Sequence, residues 1–154
     1  MSIVLLNKQK TRLHTSRLCA NLRKVSHLLG ISSREVAFVF CNDVFIRRLH
    51  KKYFNDRSVT DVISFGFAEN SADPCLGEVI VSVQCARACA PRYGMTFEQE
   101  LLLYCIHGML HLVGYDDCTR SGRARMERTQ QRILNKIIQG GSVKRRTDRK
   151  KLKN

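Results

Sequence analysis

Apolar positions change period several times along the chain, and each change marks an element. Ile3 to Leu6 is a short apolar run that reads as a first strand. From Ser16 to Leu29 the residues Leu18, Leu22, Val25 and Leu29 keep the spacing of one helical face, and Gly30 supplies the stop. Val36 to Cys41 is β-branched and aromatic, as a strand requires, and Asn42 or Asp43 can cap a helix running through Ile46, Leu49 and Tyr53. A polar loop, Asn55 to Thr60, leads into Asp61 to Phe67. There period-two alternation sets Ile63, Phe65 and Phe67 on one face and Val62 and Ser64 on the other. Glu69 to Pro74 reads as a second loop and Leu76 to Val83 as a fourth strand, followed by a short helix to Ala90 that ends at Pro91 and Gly94.

The second half is helical. Thr96 with Gln99 forms a capping box, and Glu98 and Glu100 place negative charge where a helix dipole favours it. From Leu101 to Val113 the chain is apolar nearly all round, the pattern of a central buried helix, and Gly114 is its natural stop. A last amphipathic helix carries Met126, Ile133, Leu134, Ile137 and Ile138 on one side, and Gly140-Gly141 releases a basic C-terminal segment. The expected architecture is a single α+β domain over residues 1–141. It has about four strands in a mixed sheet and about five helices, with the buried helix packed on one face of the sheet. Strand order does not follow from these patterns, and no internal repeat is present.

Composition narrows the class. A chain of 154 residues buries roughly two thirds of its unfolded surface and folds without staples. Its apolar runs are too short to span a bilayer. Met1 to Asn7 has no basic residue ahead of it and no small-residue cleavage site after it, so no signal peptide, no membrane association and a cytoplasmic location are expected. Seven cysteines (Cys19, Cys41, Cys75, Cys85, Cys89, Cys105 and Cys118) are odd in number, scattered and without a CxxC pair, which favours reduced thiols. The net charge is +14, of which +6 lies in residues 144–154, leaving +8 on the rest. Residues 142–154 are expected to be a disordered basic tail. A field of one sign on both parts calls for a polyanionic partner, although a merely solvated basic surface has the same composition.

The candidate chemistry lies on the buried helix. His107 and His111 are four residues apart and project from one helical face, within reach of a single ion. Gly114 ends the helix and lets Tyr115-Asp116-Asp117 turn back, so Asp117 can bring an oxygen to a third corner and leave a fourth open. Three ligands and an open position describe a catalytic metal site better than a structural one. Asp116 is either a partner of a ligating histidine or a turn former. Cys118 is a possible soft competitor for Asp117, and Ser64 and Glu78 lie on strands able to face the site, with surface or core-edge roles favoured for both. His14, His27 and His50 read as helix-surface residues.

The segment His107-Gly-Met-Leu-His-Leu-Val-Gly-Tyr-Asp-Asp117 resembles the signature of the YbeY family, HGxLHLxGYDH. Upstream, Thr60-Asp-Val-Ile-Ser-Phe65 is similar to the family's TDVLSF and Leu76-Gly-Glu78 to its LGD; the resemblance runs from about residue 3 to 138. It implies a single-strand-specific endoribonuclease acting in ribosomal RNA maturation and ribosome quality control. The implied cofactor is one divalent ion, zinc in the family, held by His107, His111 and Asp117, with no small organic cofactor. The implied partners are single-stranded RNA and ribosomal particles. Asp117 stands where the family usually has histidine; a carboxylate is an accepted zinc ligand and makes the site more anionic. The family's arginine directly follows the aromatic residue matched by Tyr53, a place held here by Phe54, so its catalytic role beside His107 passes to Arg57. Two other readings remain. The H-x3-H-x5-D spacing is also that of a zinc protease, but Gly108 occupies the place of the general-base glutamate. A non-catalytic ribosome-assembly factor with a structural metal accounts for the same ligands.

Overall fold

Alternation along β2 (Glu35–Cys41) sends Val36, Phe38 and Phe40 to one side of the sheet and Val39 and Cys41 to the other, and both sides are buried. A computed structural model of the chain describes residues 2–54, 60–67 and 73–141. Around β2 it places β1 (Ile3–Asn7), β3 (Val62–Gly66) and β4 (Cys75–Ser82) in the order β1-β2-β4-β3. β1, β2 and β4 are parallel, and β3 runs antiparallel to β4 at an edge. The sheet is therefore mixed, and its central strands read as near-continuous apolar runs because both faces are covered.

Among the described residues five α-helices cover it: α1 (Thr15–Leu28), α2 (Asp43–Phe54), α3 (Val83–Cys89), α4 (Phe97–Leu112) and α5 (Arg120–Gly141). The large core lies between α1, α4 and α5 and the face carrying Val36, Phe38, Phe40, Val79 and Val81. The smaller one lies under α2, where Ile46 meets Val39, Cys41, Ile63 and Ile80. Ile63 and Phe65 point to the α2 side and Ser64 to the α4 side, as period two requires. Ile106, Met109 and Leu110 on α4 are fully buried, each worth about 1.5–3 kcal/mol of apolar transfer. These contacts anchor α4 on the sheet.

One helix end agrees with expectation and one departs from it. α3 ends at Cys89, just ahead of Pro91, and a 3-10 turn, Ala90–Tyr93, leads on to Gly94, which takes a left-handed φ of 63°. Pro is tolerated there because the first turn of a helix needs no N–H partner. α5 continues through Gly140 and Gly141. Residues 142–154, the expected tail, lie outside the described residues. All seven cysteines are free thiols; Cys41 and Cys105 are buried, and burial pushes Cys41 up to about 12. Among the described residues no helix is long and apolar enough to cross a membrane.

Candidate metal centre

The centre forms where α4 ends. Its start is fixed by Thr96 and Gln99, which make both hydrogen bonds of the capping box. Its end is a Schellman cap: the Gly114 N–H donates to the His111 carbonyl and the Tyr115 N–H to that of Leu110, with Gly114 at a φ of 98° that only glycine adopts without strain. The reversal carries Asp117 back over the last turn of the helix. Its Oδ2 lies 3.8 Å from His107 Nε2 and 3.5 Å from His111 Nε2, and the two Nε2 atoms are 3.2 Å apart. Sequence spacing thus identified three side chains that the structure brings together.

The second nitrogen of each ring is already committed. His111 Nδ1 lies 3.1 Å from the Tyr115 carbonyl, which can only accept, so Nδ1 carries the proton and Nε2 a bare lone pair. His107 Nδ1 lies 2.9 Å from Gln130 Oε1 on α5, with the same consequence. With the neutral rings in these tautomers, two lone pairs and a carboxylate oxygen face one another. Such a set suits a cation. A tetrahedral ion with bonds of about 2.0–2.2 Å spaces its donors about 3.3–3.6 Å apart, close to the separations found here. The side chains of His107, His111 and Asp117 are 27 %, 30 % and 43 % exposed, which leaves the approach from solvent open.

Gln130 was not identified from sequence. The available signal was a polar residue in the apolar stripe of α5, between Met126 and Ile133-Leu134, where a core residue belongs. Gly108 has a role that the motif reading missed. A Cβ there would collide with Val79 Cγ1 and sit 3.1 Å from Ser64 Oγ, so glycine sets how closely α4 approaches β3 and β4. Ser64, for which the sequence favours a surface or core-edge role, faces the site helix and donates to the Gly108 carbonyl at 2.9 Å. Glu78 does not: it pairs with Phe65 in the β3–β4 register and shares the opposite face with Ile80.

Asp116 is the turn former of the two alternatives. Its Oδ1 accepts from the Cys118 N–H at 2.7 Å, and the hydrogen bonds with Cys118 hold its carboxyl below the usual carboxylate range. Asp116, Asp117 and Cys118 also lie within reach of one ion, but that group contains no imidazole and is more exposed. His14 and His27 are exposed, whereas His50 is half-buried with its ring 5.3 Å from Phe54. Arg57 lies outside the described residues. α5 carries Arg120, Arg123, Arg125, Arg128 and Arg132, all exposed, with the Arg125 guanidinium 5.2 Å from the centre of the Tyr115 ring.

Comparison with known proteins places the chain in a family. An endoribonuclease YbeY of Macrococcus caseolyticus is 42% identical over 108 residues, covering 66% of this chain and 70% of that protein. One from Heliobacterium modesticaldum is 37% identical over 116 residues, 68% of this chain and 70% of its own. One from Chlorobaculum parvum is 31% identical over 137 residues, covering 89% of this chain and 96% of that one. A Thermotoga maritima protein whose structure was solved in solution superposes with a TM-score of 0.62 at 25% identity, over 88% of each chain. The sequence profile described as Endoribonuclease YbeY matches residues 4–138, from the first strand into α5 and across all three candidate ligands, and the chain accordingly belongs to the YbeY endoribonuclease family.

Proposed function

We propose that the protein is a metal-dependent, single-strand-specific endoribonuclease that acts in ribosomal RNA maturation and ribosome quality control. The supporting observation is the convergence of His107 Nε2, His111 Nε2 and Asp117 Oδ2 with both Nδ1 protons already spent. A divalent ion held there, zinc by family resemblance, supplies Lewis acidity to a phosphodiester. The protein's own contribution is positional. Gln130 and the Tyr115 carbonyl lock the imidazoles in the ligating tautomer, so His107 contributes as a ligand and not as a general base. Arg57, placed by the family resemblance, is assigned to the scissile phosphate, and the arginines of α5 raise the local concentration of RNA.

The test is cleavage of single-stranded RNA by the full chain before and after chelation, with His107→Ala purified identically as the control for contaminating nuclease. Chelation is expected to abolish cleavage, zinc or another divalent ion to restore it, and Arg57→Ala to slow it with the metal content unchanged. Elemental analysis of His111→Ala is expected to show less metal than the parent. Cleavage by His107→Ala at the parent rate would remove the enzyme reading and leave an assembly factor with a structural metal.

A further inference from the structure

The C-terminal end of α2 meets the edge strand β3 in a cluster of aromatic rings that the metal centre does not use. Tyr53 and Phe54 are 56 % and 54 % exposed. The Tyr53 ring is edge-on to Phe65 with centroids 5.1 Å apart, and Phe54 lies nearly parallel to Phe65 at 6.3 Å with an interplanar angle of 19°. His50 extends the group on the far side of Phe54. Single exposed hydrophobes are ordinary on a protein surface; several aromatic rings side by side are not.

The charge around these rings decides what fits them. α2 exposes Arg47, Arg48, Lys51 and Lys52, and Lys52 Nζ lies 5.3 Å from the centre of the Tyr53 ring. The one acid of the helix, Asp43, is at its far end and accepts from Ser82 Oγ. Glu78, opposite Phe65 across the strand pair, is half-buried on the same face and puts negative charge at the inner margin of the cluster. Aromatic faces beside a row of cations bind single-stranded nucleic acid, because bases stack on the rings while phosphates follow the charge. A carboxylate on the inner side keeps the phosphates to the outer, cationic side.

We propose that Tyr53, Phe54 and Phe65 form a stacking platform for unpaired bases of a single-stranded RNA whose phosphates lie along the cations of α2. The proposal deepens the endoribonuclease reading and rests on it for the polymer being RNA. The platform is one strand away from the metal ligands. Phe65 faces it, while Ser64, the preceding residue, faces α4 and holds the carbonyl of Gly108, in the helical turn between His107 and His111. The rings and the ligands thus flank the same edge strand on opposite faces, and a duplex offers no unpaired base to the rings. The platform thus supplies a physical basis for single-strand preference.

The experiment measures binding to the full-length His107→Ala protein, which keeps the substrate intact, with and without the added pair Tyr53→Leu and Phe54→Leu. Both side chains are exposed, so thermal melting is expected to be unchanged. The probes are an oligoadenylate and an abasic oligonucleotide with the same number of phosphates. Losing the rings is expected to raise Kd for the oligoadenylate by at least about tenfold, in keeping with about 1–3 kcal/mol per stacked base. Kd for the abasic probe and the salt slope should stay as they were. Lys51→Ala with Lys52→Ala should instead weaken both probes and flatten the slope. Equal affinity of the parent for both probes, or an oligoadenylate Kd unmoved by the double leucine variant, would overturn the platform. So would a dimer in sedimentation that the leucine variant dissolves, since the patch would then serve self-association. Cleavage on the parent is scored separately: chelator-sensitive cutting with no base-dependent binding sinks only the platform, and base-dependent binding without such cutting sinks only the enzyme reading.

Discussion

Gly108 sits between the two histidines and touches no ligand, yet it sets their position. Alanine there drives a methyl group into Val79 and against Ser64 Oγ. Relief requires α4 to move away from the strands that hold it. Gly108→Ala is expected to lose about 1–3 kcal/mol in thermal or denaturant unfolding, the usual cost of overpacking, and to lower metal affinity because both imidazoles shift with the helix. Gln130 offers the complementary case. It orients His107 from an apolar stripe, so Gln130→Leu should keep or raise the melting temperature while weakening metal binding about 10–100-fold in a competition titration. A purely structural glutamine would show the reverse. Spacing along one helix and a glycine stop made His107, His111 and Asp117 legible in the sequence. Gln130 was not legible, because its partner lies across the α4–α5 interface and no local period links them.

Among the elements, α4 was the most legible. Its capping box, apolar girth and glycine stop agree, and the structure uses all three. Its one internal conflict is Glu100, which is 2 % exposed with Oε2 unpaired. Burial raises its carboxyl pKa against a smaller opposing effect of the Tyr104 hydrogen bond. A carboxyl whose folded pKa is raised contributes stability that is full below the unfolded pKa and lost as pH rises through the folded one. Glu100→Gln should therefore melt higher than the parent at neutral pH, and the difference should close as pH falls through the ordinary glutamate range. A gap independent of pH would contradict this assignment. α5 was less legible at its ends: its apolar anchors begin at Met126, six residues after Arg120, and two terminal glycines read as a stop the helix does not take. The first turn is tied instead to Thr119, which accepts from the Gly122 and Arg123 N–H groups, and polar contacts of that kind leave no apolar period to read.

On the scale of the whole molecule, alternation assigned residues to faces of the sheet but not strands to neighbours. Period two states which side of β3 is buried; it carries nothing about β3 joining β4 antiparallel at the edge or about β4 lying beside β2. That order depends on packing between segments far apart in sequence. Charge acts at the same scale, since +6 of the net +14 belongs to residues 144–154. Deleting residues 142–154 should weaken RNA binding and reduce its salt dependence while leaving the melting temperature and the saturated cleavage rate unchanged. Loss of the saturated rate would assign the tail a part in the chemistry.

All three ligands fall between His107 and Asp117, on the last turns of one helix and the cap beyond it. So short a loop costs little chain entropy to close around an ion, and none of the four strands contributes a ligand. On the proposed metal reading, the bonds that binding adds therefore lie at the end of α4 and its cap, and none is made directly to the sheet. Through the hydrogen bond from His107 to Gln130 the tightening extends into α5. On that reading, the stiffness of the joint between α4 and α5 varies with the free concentration of the ion, while α2 and β3, which carry the rings, supply no ligand and are not part of it.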